Sequence, residues 1–369
     1  MYIRKDIVSQ IWEYGAAPVT LETTEDPYEE NTVSLEADLV TYGDGDFLLK
    51  TPRDLAFAPD GTFYVADSGH NRILHLDQDG SLLNTWGEYG ASDYDNDIIA
   101  PAGSFNEPWG VAVGPDGSVY VADTWNNRIQ KFSAEGEFIT MWGEFGAAES
   151  EVHFWGPRGI AVDDEGRVYV TDTGNKRVVI FDSDGNALES FGGAGMGIGQ
   201  FDEPVGIAVD DRGRIYIADT WNMRIQVMLP VEDSLTYPTN ISWDIEAWYG
   251  DSLDNKPYLV VDDEYRSYVA DPTTGRILIF DDQGNFLKAI SSFGTDTAQI
   301  GIVGGLGIDS QGRLWVSDAT NNRLMRFTIA DLFAEDQAPV EEITIEETTE
   351  EDSSVEDNWL DVEEVVPTD

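Results

Sequence analysis

Six times along the chain an aspartate is followed five residues later by an arginine at the edge of an apolar run. The unit reads DSGHNRI (67–73), DTWNNRI (123–129), DTGNKRV (172–178), DTWNMRI (219–225), DPTTGRI (271–277) and DATNNRL (318–324). Successive aspartates lie 56, 49, 47, 52 and 47 residues apart, a period too long for leucine-rich or ankyrin units. A unit of this size cannot bury its own apolar face. Six copies therefore imply one domain built by stacking repeats, not several unrelated ones.

The second unit, 108–143, divides into four short runs rich in β-branched and aromatic residues, each bounded by turn chemistry. GVAV passes through Pro115-Asp116-Gly117 into SVYVAD, and RIQKF passes through Ala134-Glu135-Gly136 into EFITMW, so each pair reads as a tight hairpin. Four antiparallel strands per unit and six units predict an all-β, six-bladed β-propeller. Strand alternation then gives the blades two ends. The hairpin turns at 58–61, 114–117, 163–166, 210–213 and 309–312, with 77–80, 133–136, 182–185 and 281–284, share one end. The Asp…Arg loops and the connectors between blades share the other, the end where variable loops on a constant scaffold place ligands.

The pattern P-x-G-[IV]-A-V…D-G…[VI]-Y-V-A-D-x-x-N-x-R-[IV] resembles the NHL repeat, over roughly residues 36–333. Several departures from it stand out. Blade five has Tyr265-Arg266 for the turn glycine, Leu259 where other blades have glycine, and PTTG for the asparagine loop. Blade four replaces its outer turn by LPVEDSLTYPTNIS (229–242), and blade one has Asp54 where blades two, three and four have Gly110, Gly159 and Gly206. Blade six lacks a fourth run. LEADLVTYG (35–43) precedes blade one as FITMWGEFG precedes blade three, so it is the expected closing strand, with IVSQIWEYG (7–15) a competitor for the same place. The organisation expected is an extension over 1–34, a propeller over 35–333 and a disordered acidic tail over 334–369.

The repeated pairs Asp67/Arg72, Asp123/Arg128, Asp172/Arg177, Asp219/Arg224, Asp271/Arg276 and Asp318/Arg323 read as structural, because a carboxylate ending one strand and a guanidinium starting the next can close every loop alike. A binding site breaks symmetry. The position after each blade's leading proline, near the mouth of the central channel, does so: Arg53, Trp109, Arg158, Val205, Tyr258 and, in blade six, Gly304. Two arginines and two aromatics there offer charge and stacking surface for a carboxylate or a sugar, and Trp125, Trp221 and Trp155 at the same end extend the platform. Asp93, Asp95 and Asp97 of DYDND alternate as Ca²⁺ or other divalent-cation ligands do, but Ile98 and Ser104 stand where an EF-hand has glycine and glutamate. No other cofactor is indicated. GGAGMGIG (192–199) leads into a strand and lacks dinucleotide spacing, so it reads as a connector.

The formal charge of −50 is not confined to the tail: residues 334–369 hold 15 acids and no Lys or Arg, leaving 56 acids against 21 basic residues before them. Such a surface repels phosphate backbones and anionic lipid, which argues against nucleic-acid and membrane partners. With no cysteine there are no disulfides or thiolate metal sites. The N-terminus lacks an apolar h-region and no run reaches membrane-span length, so a soluble chain is expected, its compartment undetermined. The resemblance implies a non-catalytic scaffold binding a protein, peptide or carbohydrate at the connector end, free or as a module of a cell-envelope or membrane-associated protein. The alternative it implies is a metal-assisted propeller lyase or lactonase. Those enzymes gather histidines around a central zinc, and this chain has only His70, His75 and His153.

Overall fold

The computed structural model describes residues 26–333 except 44, 232–233 and 249–255. The tail 334–369 and the competing strand 7–15 lie outside the described residues. The described residues up to Ala330 belong to one compact unit. Among the described residues no helix is long and apolar enough to cross a membrane.

Short Val-, Ile- and Tyr-rich runs separated by tight turns pair with their sequence neighbours, and the result is six antiparallel four-stranded blades in sequence order, the last completed from the N-terminal side. Blade one consists of Pro52–Phe57, Phe63–Asp67, Arg72–Leu76 and Leu82–Trp86, and blade two of Pro108–Val113, Val119–Asp123, Arg128–Phe132 and Phe138–Trp142. Blade three holds Pro157–Val162, Val168–Asp172, Arg177–Phe181 and Ala187–Gly192; blade four holds Pro204–Val209, Ile215–Asp219, Arg224–Leu229 and Thr239–Asp244. Leu259–Val261, Ser267–Asp271, Arg276–Phe280 and Phe286–Ile290 make blade five. Val303–Ile308, Arg313–Asp318 and Arg323–Thr328 begin blade six, and its outer strand is Leu39–Thr41. Leu39 lies opposite Arg326, so the N-terminal side closes the ring. Thr32–Val33 adds a fifth, parallel strand to blade five.

Neighbouring blades interlock at their outer turns. A Cβ on Gly136 would come within 2.5 Å of Trp86 of the preceding blade, and Gly185 and Gly284 lie as close to Trp142 and Trp243. Each of these glycines also has a positive φ, so both the flat contact and the turn geometry require the missing side chain. Blade four departs, as its long outer turn predicts. There Tyr237 packs on Phe191 of blade three, centroids 5.3 Å apart, in place of glycine on tryptophan.

In every blade the Asp and Arg of the repeat lie directly opposite each other on the second and third strands. The first strand is less regular. Pro52 faces Asp67, but the next partners are Leu55 and Val65, so one extra residue is accommodated between them. The same shift follows Pro108, Pro157, Pro204 and Val303. A bulge of this kind re-aims side chains out of the ladder. The position after the leading proline falls on it.

Candidate functional site

Residues of four blades come together at the channel mouth, those of blades one, two and three from the bulges. The guanidinium carbon of Arg53, from blade one, lies 4.0 Å from the ring centroid of Trp109 in blade two, and that of Arg158, from blade three, lies 4.8 Å from the same ring. Arg158 is also 5.8 Å from the ring of Trp125. From blade five, Tyr258 donates its hydroxyl to the backbone carbonyl of Trp109 at 3.4 Å, a strut between opposite blades. Trp109 and Tyr258 are buried, Val205 is buried in blade four, and Gly304 of blade six has Pro52 O where a Cβ would go. The result is a cup with two cations on one wall and a tyrosine strut spanning it.

Neither guanidinium has a hydrogen-bond or ion-pair partner among the described residues, and the buried Nε of each has no acceptor. Burial lowers the pKa of both below the ordinary arginine value, and for Arg158 the charge of Arg53 adds to the effect. A desolvated, unpaired cation is costly in a folded protein. Cation–π contact with Trp109 offsets part of that cost, and an incoming anion would offset more.

Asp54 lies next to Arg53 and is buried. Its Oδ1 accepts from the Leu55 amide at 3.0 Å and its Oδ2 from the Val111 amide of blade two at 3.2 Å. Burial pushes its pKa up to about 8, against the lowering effect of those two amides. Burial also raises the pKa of Tyr258.

The rim above the cup comes from the residues that precede the leading prolines. Thr51, Glu107, Glu203 and Lys256 all have φ between 46° and 60°, although a residue before proline ordinarily takes an extended conformation. Such strain persists only where surrounding contacts enforce it. Here Asn322 Oδ1 accepts from the Thr51 amide at 2.7 Å and Asn71 Oδ1 from the Glu107 amide at 2.8 Å. The rim acids already have partners: Trp125 Nε1 donates to Glu107 at 3.2 Å, and Lys256 pairs with Glu203 while lying 5.4 Å from the Trp221 ring. Burial would raise the Glu203 carboxyl, but the Lys256 ammonium outweighs it and the net shift is downward.

The stacking platform differs from the sequence expectation. Trp109 is covered by guanidinium groups and channel wall, so its faces are not free. Trp125 and Trp221 are 45% and 43% exposed and supply the accessible indole surface. Trp155 is exposed but packs edge-on against Phe145 in the connector before blade three. The rim strain and the buried Asp54–Val111 link escaped the sequence reading. Asp54 carried a signal, as an acid in a glycine position.

Other candidates are placed elsewhere. Asp93, Asp95 and Asp97 are not brought together as a cation set: the chain curls into a 3-10 turn at Tyr94–Asn96, which breaks the alternation an extended strand would give, and Asn96 takes Asp93 Oδ2 at 2.7 Å. The three histidines are dispersed. His70 contacts Asp67 at 2.9 Å, His75 contacts Thr62 at 2.9 Å, and His153 contacts Glu144 at 3.1 Å.

The six Asp–Arg pairs form in every blade. Nε–Oδ2 distances are 2.8 Å for Asp67/Arg72, Asp123/Arg128 and Asp219/Arg224, and 2.9 Å for Asp172/Arg177 and Asp318/Arg323. In Asp271/Arg276 the contact is 3.2 Å from a terminal nitrogen. Each also fastens something beyond its own loop. Arg128 donates to the carbonyls of Ala100, Pro101 and Ser104, while Asp123 Oδ1 accepts from the Asn106 amide, so the pair staples the connector that precedes its blade. Arg177, Arg224 and Arg323 do the same; Arg276 instead reaches Asp26 at 2.7 Å.

Four segments, 49–76, 105–132, 154–181 and 201–228, match the NHL repeat. Peptidylglycine alpha-amidating monooxygenase of Rattus norvegicus is 31% identical over 133 residues, 34% of this chain and 13% of that protein. NHL repeat-containing protein 2 of Gallus gallus is 40% identical over 76 residues, 21% of this chain and 10% of that one. The matches thus span about a tenth of the curated relatives' length. Among solved structures, a gluconolactonase from Xanthomonas campestris superposes with a TM-score of 0.55 at 16% identity, covering 80% of this chain and 97% of that one. A streptogramin B lyase gives 0.51 at 14% identity, covering 78% and 97%. At these identities the likeness is one of fold. With four matching repeats, the same Asp–Arg pair in two further blades and a ring closed by its own N-terminal strand, this chain is an NHL-repeat six-bladed β-propeller.

Proposed function

We propose that this propeller is a non-catalytic recognition module that takes a carboxylate-bearing ligand, such as an acidic glycan or a peptide carboxylate, into the cup at its connector end. The observation that carries the reading is the pair of guanidinium groups, held against Trp109 with no acid paired to either in a chain otherwise dominated by carboxylates. Their forked donors match a carboxylate. Trp125 and Trp221 offer ring surface at the rim, and exposed Tyr89, Ile98, Phe145, Met196 and Phe293 on the surrounding connectors suit a ligand larger than a single sugar. Binding is favoured over chemistry because Asp54, the acid within the cup, has both oxygens taken by backbone amides.

The test is a thermal-shift screen of uronates and carboxylated peptides on the wild type and on Arg158→Gln/Trp125→Ala. Trp109 is left in place because removing it would empty a buried site. A ligand of this class should raise the wild-type melting temperature and leave the variant's unchanged. A screen in which no carboxylate stabilises the wild type would contradict the proposal.

A further inference from the structure

We infer that the cup takes one ligand carrying two carboxylates, one on each guanidinium, an inference that rests on the reading of the cup as a carboxylate site. Arg53 and Arg158 reach the same indole from the blades on either side of it, so their guanidinium carbons lie no further apart than the sum of 4.0 and 4.8 Å. That separation is within the reach of a short diacid. Contact with a buried ring also restricts both side chains, which lowers the entropy lost when each fork closes on a carboxylate.

Charge makes the same case. Two like charges this close, both partly buried and both without an ion-pair partner, repel each other. A monoanion neutralises one and leaves the other without a partner. A dianion satisfies both. Glu107 and Glu203 favour the charged forms of Arg53 and Arg158 from a distance, but neither forms an ion pair with them: Glu107 accepts from Trp125 and Glu203 pairs with Lys256, so the donor forks of both arginines stay open. Tyr258 and its bond to the Trp109 carbonyl span the channel, so the ligand bridges the arginines at the mouth without threading the axis.

Calorimetric titration of the full chain with linear dicarboxylates of two to five intervening carbons, each beside its monomethyl ester, reads this directly. One diacid length should bind at least about tenfold tighter than its monoester, a difference of about 1.4 kcal/mol. In Arg53→Gln and in Arg158→Gln, each checked for an unchanged circular dichroism spectrum, that advantage should vanish. Equal affinity of diacid and monoester for the wild type would overturn the bridging inference while leaving the carboxylate site intact. Inorganic phosphate binding as tightly as the best diacid would overturn it in favour of one compact anion. Absence of binding by any diacid or monoester would remove both the site and the inference.

Discussion

Asp54 sits where blades two, three and four have glycine, and its carboxylate replaces a close backbone contact with a link to the Val111 amide of the next blade. Because its folded-state pKa is about 8, well above that of an exposed aspartate, the native state favours the protonated form. Its contribution to stability is therefore fully present below about pH 4 and is lost as the pH rises through 8, by up to about 1.4 kcal/mol per pH unit. The difference in unfolding free energy between wild type and Asp54→Asn, measured by urea titration from pH 5 to 9, should shrink or change sign as pH rises. A difference independent of pH would show that Asp54 is ionised in the fold. At this scale the sequence was informative wherever one blade broke the repeat, as at Arg53, Asp54 and Arg158. It could not show that Trp109 would be covered, because burial there depends on neighbours from other blades.

The Asp–Arg pairs read as structural from their regularity, and in the fold their reach is larger than the loops they close. Arg128 fastens three carbonyls of the preceding connector, and backbone acceptors leave no mark in a sequence. The pairs also differ in burial: the Arg128 side chain is 3% exposed and that of Arg72 is 17% exposed. Asp123→Ala would strand a buried guanidinium and should cost about 3–5 kcal/mol. Asp67→Ala should cost distinctly less, since water can reach Arg72. Chemical denaturation of the two variants tests this, and equal losses would mean that the carboxylate, not the stranded cation, sets the cost. The long outer turn of blade four was visible as an interruption of the turn pattern. Its packing through Tyr237 onto Phe191 was not, because that contact replaces one between two other residue types.

At the scale of the whole ring, period, turn chemistry and strand count made the six-bladed architecture legible, and the likeness of 35–43 to the outer strands identified the segment that closes it. The two-residue parallel strand Thr32–Val33 is too short to carry any periodicity. Closure joins distant parts of the chain, through Leu39–Thr41 on blade six and the Asn322 side chain on the Thr51 amide. Deleting 1–43 should therefore lower the melting temperature by roughly 5 °C or more, whereas deleting 1–25 retains both described strands and should cost much less. Equal effects would place the clasp upstream of residue 26. The closed ring also holds Arg53, Trp109 and Arg158 in register on three successive blades, and recognition of an anion by that set is the central claim. It is tested most directly by following the arginine Nε–H resonances during titration with a uronate or dicarboxylate. The Arg53 and Arg158 signals should move together and saturate at one ligand per chain while those of Arg128, Arg177 and Arg323 stay fixed. Unmoved Arg53 and Arg158 signals at saturating ligand would contradict it.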